Sequence, residues 1–283
     1  PAGINTEAVI KYSKIRTIGL CNVPIGIIMQ LIKFFGGTPE EVELDYVGLN
    51  HLSWVRNFKV RGMDITQEVL QKFWEHAEEE WEDETTRNNM LEAMKSLNMF
   101  CNYYLQYYYS TESVFNQLKN KGKTRGEEVL EIEQKLFEKY SNPELREKPE
   151  ELSKRGGAHY STAALMVIDA IENDKKSRQI VCCKNNGAIP TFDDDISVEI
   201  PAIIDKNGAH AIAQPPPEHS IRGLMQLIKS YETLTVHAAV KGDRELAFQA
   251  MLSHPLMPDA SQCRKLLNEV LEINKPFLNN FFK

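Results

Sequence analysis

The stretch Val47-Gly48-Leu49-Asn50-His51-Leu52-Ser53-Trp54 decides the fold class of this chain. Apolar, strand-forming residues stand on both sides of the polar pair Asn50-His51, and this pattern predicts strands over 43–49 and 53–60. The two strands are close enough in sequence to pair as a local hairpin. Strands that pair locally, instead of alternating with helices, indicate an α+β fold and not a doubly wound parallel sheet.

Predicted helices outnumber predicted strands in the rest of the chain. Helices are predicted over 6–13, 24–35, 66–84, 88–109, 127–140, 160–172, 219–240, 244–253 and 261–275. Further strands are predicted over 15–20, 179–183, 198–204 and 209–213, and 142–151 is predicted to be a solvated loop. Gly36-Gly37 ends the second helix and Pro276 ends the last one. We therefore predict a helix-rich α+β fold with small antiparallel sheets.

The composition describes an acidic, globular chain. Its 283 residues are 42% hydrophobic, which is enough for a sizeable core, and the formal net charge is −7. A negative balance argues against nucleic acid as a partner, and no apolar run is long enough to cross a membrane. The five cysteines, an odd number, argue against a disulfide framework and favour a reduced, cytoplasmic chain. No Gly-x-Gly-x-x-Gly motif follows a predicted strand, so the chain has no dinucleotide-binding fingerprint.

Cys21 and His51 form a candidate metal pair. Each stands where a strand-like run gives way to a turn or a helix. A thiolate and an imidazole suit a borderline divalent ion, and two protein ligands leave positions open for water or substrate. On spacing alone the simpler alternatives stay open, namely a small buried cysteine and a hydrogen-bonded histidine.

A series of short segments carries a family resemblance. They are Gly19-Leu20-Cys21-Asn22-Val23-Pro24, Gly48-Leu49-Asn50-His51, Asn102-Tyr103-Tyr104-Leu105-Gln106-Tyr107-Tyr108, Arg155-Gly156-Gly157-Ala158, Asn185-Asn186-Gly187-Ala188-Ile189-Pro190, Val198-Glu199-Ile200-Pro201 and Leu252-Ser253-His254-Pro255-Leu256. In this order they resemble the NAD-dependent glycoside hydrolase family 4, and most closely its 6-phospho-β-glucosidase branch. The resemblance covers essentially the whole chain. It implies a fold like the C-terminal domain of the lactate and malate dehydrogenase superfamily.

The same resemblance implies a domain organisation. Members of the family carry an N-terminal Rossmann-like domain of about 150 residues, a size typical of one domain. That domain ends near an Asn-Pro-Ala-Gly segment, and this chain opens with Pro1-Ala2-Gly3. We therefore expect 1–283 to be the C-terminal metal- and substrate-binding domain, with 1–14 as the junction to an absent nucleotide-binding domain. Such a chain is expected to be inactive alone.

The resemblance implies a redox-assisted elimination, unlike the two-carboxylate mechanism of ordinary glycosidases. In this chemistry NAD⁺ takes a hydride from C3 of the sugar, and a base removes the C2 proton. The aglycone then leaves C1, water adds, and the ketone is reduced again. Cys21 and His51 match the family's ligands for Mn²⁺ or a similar divalent metal, and Tyr104 matches the base. Tyr103 is the neighbouring alternative, and without the resemblance this tyrosine cluster would be an aromatic packing face.

Three further residues are expected to contact the substrate, a phosphorylated disaccharide or an aryl 6-phospho-β-glucoside. Asn22 stands where α-acting members commonly carry an Asp acid; because an amide cannot donate a proton in that way, it favours β specificity and leaves the leaving-group acid unidentified. Asn50 is expected to orient the ligand turn. Arg155 contacts either the substrate phosphate or a neighbouring carboxylate. We also predict a homo-oligomer, either a dimer or a tetramer.

Two other functions compete with this interpretation. A metal-free dehydrogenase of the 2-hydroxy-acid type would share the fold, but it relies on a His–carboxylate pair and an Arg. The Cys21–His51 pair and the tyrosine cluster argue against it. The second alternative is a non-catalytic oligomerisation fragment, which the missing nucleotide-binding domain makes plausible. Binding of Mn²⁺ with and without a thiol reductant separates these alternatives.

Overall fold

Two antiparallel sheets and the helices packed on them form the computed structural model, which describes residues 2–157 and 159–283. Pro1, the first residue of the predicted junction, and Ala158, the last residue of the family-like segment that begins at Arg155, lie outside the described residues. The predicted helix-rich α+β fold with small antiparallel sheets is confirmed.

The first sheet contains the hairpin predicted from the opening stretch. Its strands are β1 (Val42–Leu49), β2 (Leu52–Val60), β3 (Met63–Asp64) and β4 (Phe100–Cys101). β2 lies in the centre and pairs antiparallel with the other three strands. Leu49 pairs with Leu52, so only Asn50 and His51 remain in the turn between β1 and β2. This short turn presents both polar residues at one end of the sheet.

The second sheet contains β5 (Ser177–Lys184), β6 (Ser197–Asp205) and β7 (Gly208–Ala211), with β6 in the centre. β1 of the first sheet packs against β6, so the two sheets share one core. Tyr46, Trp54 and Phe58 are fully buried in that core. Burial of a large apolar side chain contributes about 1.5–3 kcal/mol to folding. The shared core therefore fixes the hairpin turn relative to β6.

The helices cover the sheets and the end of the chain. They are α1 (Ala2–Tyr12), α2 (Asn22–Phe35), α3 (Thr66–Glu75), α4 (Ala77–Glu80), α5 (Glu84–Leu97), α6 (Gln106–Tyr109), α7 (Thr111–Asn120), α8 (Arg125–Tyr140), α9 (Glu151–Arg155), α10 (Tyr160–Glu172), α11 (His219–Lys241), α12 (Arg244–Ser253) and α13 (Ala260–Ile273). Short 3₁₀ turns lie at Pro39–Glu41, Tyr103–Leu105, Lys275–Phe277 and Asn279–Phe282. α10 and α12 have the predicted bounds.

The predicted strand over 15–20 is wrong for most of its length. Only Gly19 pairs, through an isolated bridge in which Gly19 and Cys182 exchange backbone hydrogen bonds of 2.8 Å. Ile15 is 71% exposed. An apolar run becomes a strand only where a partner strand lies alongside it, and here β5 meets the segment at one position.

The two long helices predicted over 66–84 and 88–109 are also wrong. The first ends at Glu75, and the chain then buries Trp81 before Asp83 caps α5 by accepting a hydrogen bond from the Thr86 N–H. α5 stops because Asn98 takes the left-handed conformation, with φ of 52°. The next residues pair with β2 as β4. Both breaks depend on contacts distant in sequence or on the left-handed tolerance of asparagine.

Candidate metal and substrate site

The turn between β1 and β2 presents His51 in a constrained conformation. Its φ is 67°, in the left-handed region that histidine enters more readily than most residues. Gly48 permits the close approach of the two strands below the turn, because a Cβ there would lie 2.3 Å from the Leu52 carbonyl oxygen. The backbone conformation of the turn therefore fixes the position of the His51 Cβ and the direction in which its side chain leaves the turn.

Cys21 lies at the start of α2, where extended backbone turns into helix, and its side chain is buried. The preceding Gly19–Cys182 bridge holds the approach to this position. A Cβ on Gly19 would lie 2.1 Å from the Thr6 hydroxyl oxygen and 2.8 Å from the Cys182 Cβ. The close packing of α1, β5 and the segment before α2 thus fixes the thiol.

The structure brings Cys21, Asn50, His51 and Tyr104 to one place. Asn50 is the sequence neighbour of His51; burial raises the pKa of Cys21, and the Asn50 side chain lowers it. The His51 ring stacks on the Tyr104 ring, with 4.1 Å between the centroids and 16° between the planes. Burial and then Cys21 raise the pKa of Tyr104. Residues from three separate segments therefore converge.

The protonation states follow from burial. Burial lowers the pKa of His51, so the imidazole is neutral near pH 7 and a ring nitrogen is available to a metal ion. Burial and then the charge of Glu199 raise the pKa of Cys21 to about 11, so this thiol is protonated unless a cation displaces the proton. Burial also raises the pKa of Tyr104. A nearby cation would favour the charged forms of Cys21 and Tyr104.

The aromatic contacts distinguish Tyr104 from Tyr103. Tyr104 lies against His51, whereas the Tyr103 ring stacks parallel to Trp81, with 6.3 Å between the centroids. The Asn102 side chain accepts a hydrogen bond of 3.0 Å from the Tyr104 N–H and so fixes the start of this segment. The geometry favours Tyr104 over Tyr103 as the residue that faces the candidate metal pair, and its role as a base stays a prediction.

Arg155 and Asn22 have different surroundings. Arg155 ends α9, and its guanidinium lies 2.7 Å from the Glu133 carboxylate of α8 at the surface. Of the two contacts expected for Arg155, this is the one with a neighbouring carboxylate. The contact with the substrate phosphate stays a prediction. Asn22 begins α2 directly after Cys21.

Sequence reasoning missed the residues behind the candidate metal pair. Glu199 and Tyr46 are fully buried, and Glu199 accepts hydrogen bonds from the Asn50 amide and from the Tyr46 hydroxyl. Tyr160 begins α10; burial and then Cys21 raise its pKa, and the Asn22 backbone lowers it. The available signal was the family-like segment Val198-Glu199-Ile200-Pro201, in which the single carboxylate interrupts apolar residues.

The donor set fits an open metal site. Within residues 2–157 and 159–283, no three His, Cys, Asp or Glu side chains gather into a group that could hold a metal ion. Cys21 and His51 would therefore supply two ligands, leaving positions for substrate oxygens and water. The carboxylate of Glu199 adds negative charge nearby, which favours a cation.

The fold is an α+β domain in which the candidate metal pair lies beside an aromatic face. The model of the family 4 glycosyl hydrolase C-terminal domain matches residues 46–257, and the chain belongs to this family. Across the part of the chain that the structure describes, no helix combines the length and the apolar character that crossing a bilayer requires.

Two relatives named 6-phospho-β-glucosidase are similar to nearly the whole chain. A probable 6-phospho-β-glucosidase of Bacillus subtilis is 38% identical over 293 residues, covering 100% of this chain and 65% of the relative. A 6-phospho-β-glucosidase of Thermotoga maritima is 37% identical and covers 98% of this chain and 66% of the relative. This chain therefore spans slightly less than two thirds of the length of these relatives.

Solved structures give the same picture. The Thermotoga maritima 6-phospho-β-glucosidase, solved with manganese, NAD⁺ and glucose-6-phosphate, superposes with a TM-score of 0.88 at 37% identity, covering 98% of this chain and 65% of that one. A 6-phospho-α-glucosidase from gut microorganisms, solved with NAD and Mn²⁺, has a TM-score of 0.81 at 26% identity, covering 97% and 65%. Relatives with α and with β specificity are thus both similar to this chain.

Proposed function

We propose that this chain is the metal- and substrate-binding part of an enzyme that hydrolyses 6-phospho-β-glucosides by NAD- and divalent-metal-dependent elimination and addition. The observation that carries the proposal is the stacking of His51, at the β1–β2 turn, on Tyr104 in a family 4 domain. A metal-free dehydrogenase would have no use for this set of residues. Membership of family 4 also removes the main reason for considering that alternative.

Each residue of the set has a distinct task. The Cys21 thiolate and the neutral His51 imidazole hold a divalent ion such as Mn²⁺. When bound, this ion acts as a Lewis acid toward the sugar oxygens on which charge develops. Tyr104, lying against His51, takes the C2 proton of the oxidised sugar onto its phenolate oxygen. Burial of Cys21 and Tyr104 strengthens the electrostatic effect of the cation on both groups.

The polar neighbours position the sugar and the ligands. Asn50 holds the thiol of Cys21 and precedes His51, so it orients both ligands. Asn22 offers an amide to a sugar hydroxyl but no acidic proton, which supports β specificity. Arg155 would reach the substrate phosphate only by giving up its contact with Glu133.

The rest of the activity requires parts outside this chain. NAD, when bound, supplies the oxidation and the later reduction of C3, and we propose that a separate nucleotide-binding domain holds it. Residues 1–14 would form the junction with that domain, and 1–283 alone would be inactive. The assembled enzyme is proposed to be a cytoplasmic homo-oligomer, a dimer or a tetramer.

The test is hydrolysis of 4-nitrophenyl 6-phospho-β-glucoside by the longer protein, in which a family 4 nucleotide-binding domain precedes this chain. The assay contains NAD⁺, MnCl₂ and a thiol reductant. We expect activity that requires all three additions, with little turnover of the corresponding α-glucoside. Absence of hydrolysis of the β-substrate would contradict the proposed function, and equal turnover of both anomers would contradict its specificity.

Tyr104→Phe tests the base in the same assay. We expect kcat to fall by roughly 10²–10⁴ with unchanged Mn²⁺ affinity, because the change removes a proton acceptor and not a ligand. Tyr107→Phe is the matched control, since Tyr107 lies one turn further along the same aromatic segment. Near-normal turnover by Tyr104→Phe would reject this residue as the base.

A further inference from the structure

Glu199 is a buried carboxylate whose two oxygens are both hydrogen-bonded. It lies in the middle of β6 and is 1% exposed. Its Oε2 accepts a hydrogen bond of 2.6 Å from the Tyr46 hydroxyl, and its Oε1 accepts one of 2.9 Å from the Asn50 amide. The Cys182 thiol donates to the same Oε1 at 3.5 Å. All three partners are neutral donors.

Glu199 has no ion-pair partner among residues 2–157 and 159–283. The described Lys, Arg and His side chains that form ion pairs do so with other carboxylates, and the nearest buried ammonium, Lys229, binds Glu7 and Glu232. Removing an ionised carboxylate from water costs several kcal/mol unless an opposite charge compensates it. Hydrogen bonds to neutral donors reduce this cost and do not cancel it. Burial raises the pKa of Glu199, and a cation bound nearby would favour the ionised carboxylate.

The hydrogen bonds of Glu199 lead to the candidate metal pair. Asn50 donates its amide to Glu199, accepts a 3.4 Å hydrogen bond from the Gly3 N–H, and precedes His51. Burial and then the charge of Glu199 raise the pKa of Cys21, and the Asn50 side chain lowers it. Glu199 is thus connected to one ligand through the backbone and to the other through a side chain.

A second branch reaches the Tyr104 segment. The Tyr46 hydroxyl, which donates to Glu199, also lies 2.6 Å from the Ser53 hydroxyl. Ser53 in turn accepts a 2.9 Å hydrogen bond from the Asn102 side-chain amide. The side-chain Oδ1 of Asn102 accepts a hydrogen bond from the Tyr104 N–H. One buried network therefore connects the segments that carry all three proposed functional residues.

We propose, on the basis of the function proposed above, that Glu199 is the positioning residue and buried counter-charge of a divalent cation held by Cys21 and His51. Its carboxylate fixes Asn50, and through Asn50 the two ligands. The charge of the Glu199 carboxylate makes the electrostatic potential behind the ligands negative. The bound cation is therefore attracted to Glu199 even though Glu199 is not a third ligand. The role is electrostatic and orienting, because Glu199 does not touch the reacting atoms.

The test compares two buried glutamates, Glu199 and Glu7, by Glu199→Gln and Glu7→Gln. Glu7 is the matched control, because it is equally buried but has an ammonium partner in Lys229. Mn²⁺ affinity is measured by the loss of the free Mn²⁺ electron paramagnetic resonance signal, in a thiol reductant. The unfolding midpoint of the metal-free chain is measured beside it. Glutamine keeps the shape of the side chain and the acceptor for Asn50 but removes the charge.

We expect Glu199→Gln to weaken Mn²⁺ binding about tenfold or more, as is typical for groups behind metal ligands. Its metal-free unfolding midpoint should equal or exceed that of the unchanged chain, since an uncompensated buried charge has been removed. Glu7→Gln should show the reverse, with a lower midpoint and unchanged affinity. Tyr46→Phe keeps the charge and the Asn50 contact, so its Mn²⁺ affinity should change less than about threefold.

The outcomes separate this inference from the proposed function. If the unchanged chain binds no Mn²⁺, or binds it equally after Cys21→Ala, the proposed metal site itself fails and the role of Glu199 fails with it. If binding depends on Cys21 but Glu199→Gln retains full affinity, only the role of Glu199 is overturned. Failure of Glu199→Gln to fold, while Glu7→Gln folds, would also overturn it, because the residue would then be structural.

Discussion

Two buried carboxylates, Glu7 and Glu199, lie close to the same strand and differ in what balances their charge. Glu7 of α1 is 0% exposed, and its carboxylate lies 2.7 Å from the Lys229 ammonium. It also accepts a hydrogen bond of 3.1 Å from the Ser197 N–H of β6. Glu199 stands two residues further along β6 and meets only neutral donors among the described residues. The first charge is balanced within the fold, whereas the second has no cationic partner among the described residues.

The difference separates a structural cluster from a functional one. Lys229 lies between Glu7 and Glu232, and Thr233 donates a further hydrogen bond to Glu7. These contacts join α1, β6 and α11. The Glu199 network instead ends at the Asn50-His51 turn and at Cys21. Buried charge alone therefore does not identify a site; the useful signal is a buried charge without an opposite charge beside residues that can ligate a metal.

The largest expected effect concerns the structural cluster. Glu7→Gln removes one partner of a buried ion pair, which typically costs roughly 3–5 kcal/mol. The measurement is the free energy of unfolding from a urea titration. Glu245→Gln is the control, because Glu245 pairs with Arg264 at the surface, where water screens the pair and little stability is lost. Equal losses of unfolding free energy in Glu7→Gln and Glu245→Gln would contradict this prediction, because the buried ion pair would then stabilise the fold no more than the surface pair.

The next effect concerns the metal pair. Cys21→Ala should weaken Mn²⁺ binding by more than about 100-fold, because it removes one of two protein ligands, whereas groups behind a ligand typically contribute 10–100-fold. Isothermal titration with MnCl₂ in a thiol reductant measures the change. Cys183→Ala is the matched control, since Cys183 is equally buried in β5. A similar loss of affinity in the control would show that packing, and not ligation, explains the result.

The sequence predicted the parts of the fold that local pattern controls. The β1–β2 hairpin and α10 follow from apolar periodicity and from clear turn residues at their ends. The errors at 15–20, 66–84 and 88–109 lie where tertiary contacts decide, such as the single pairing of Gly19 with Cys182 and the pairing of Phe100–Cys101 with β2. The pattern of a single sequence does not show which distant segment pairs with Gly19 or with Phe100–Cys101.

The candidate site divides in the same way. The family resemblance pointed to Cys21, His51 and Tyr104; in the structure His51 stacks on Tyr104, and the metal and base roles stay predictions. Glu199 was missed because it contacts Asn50 across 149 residues of sequence. A carboxylate within a strand is usually expected to face water, but β6 is a central strand with both faces covered, so this one is buried. Only the folded arrangement identifies its partners.

The most direct test of the central claim is the position of Mn²⁺ in crystals of this chain grown with MnCl₂ and a thiol reductant. Anomalous scattering at the manganese edge locates the ion independently of the protein coordinates. We predict one strong peak within bonding distance of both the Cys21 Sγ and a His51 ring nitrogen, with Glu199 behind the ligands and no peak at Glu7 or Glu232. A strong peak at the Glu7 cluster, or none beside Cys21 and His51, would contradict the account.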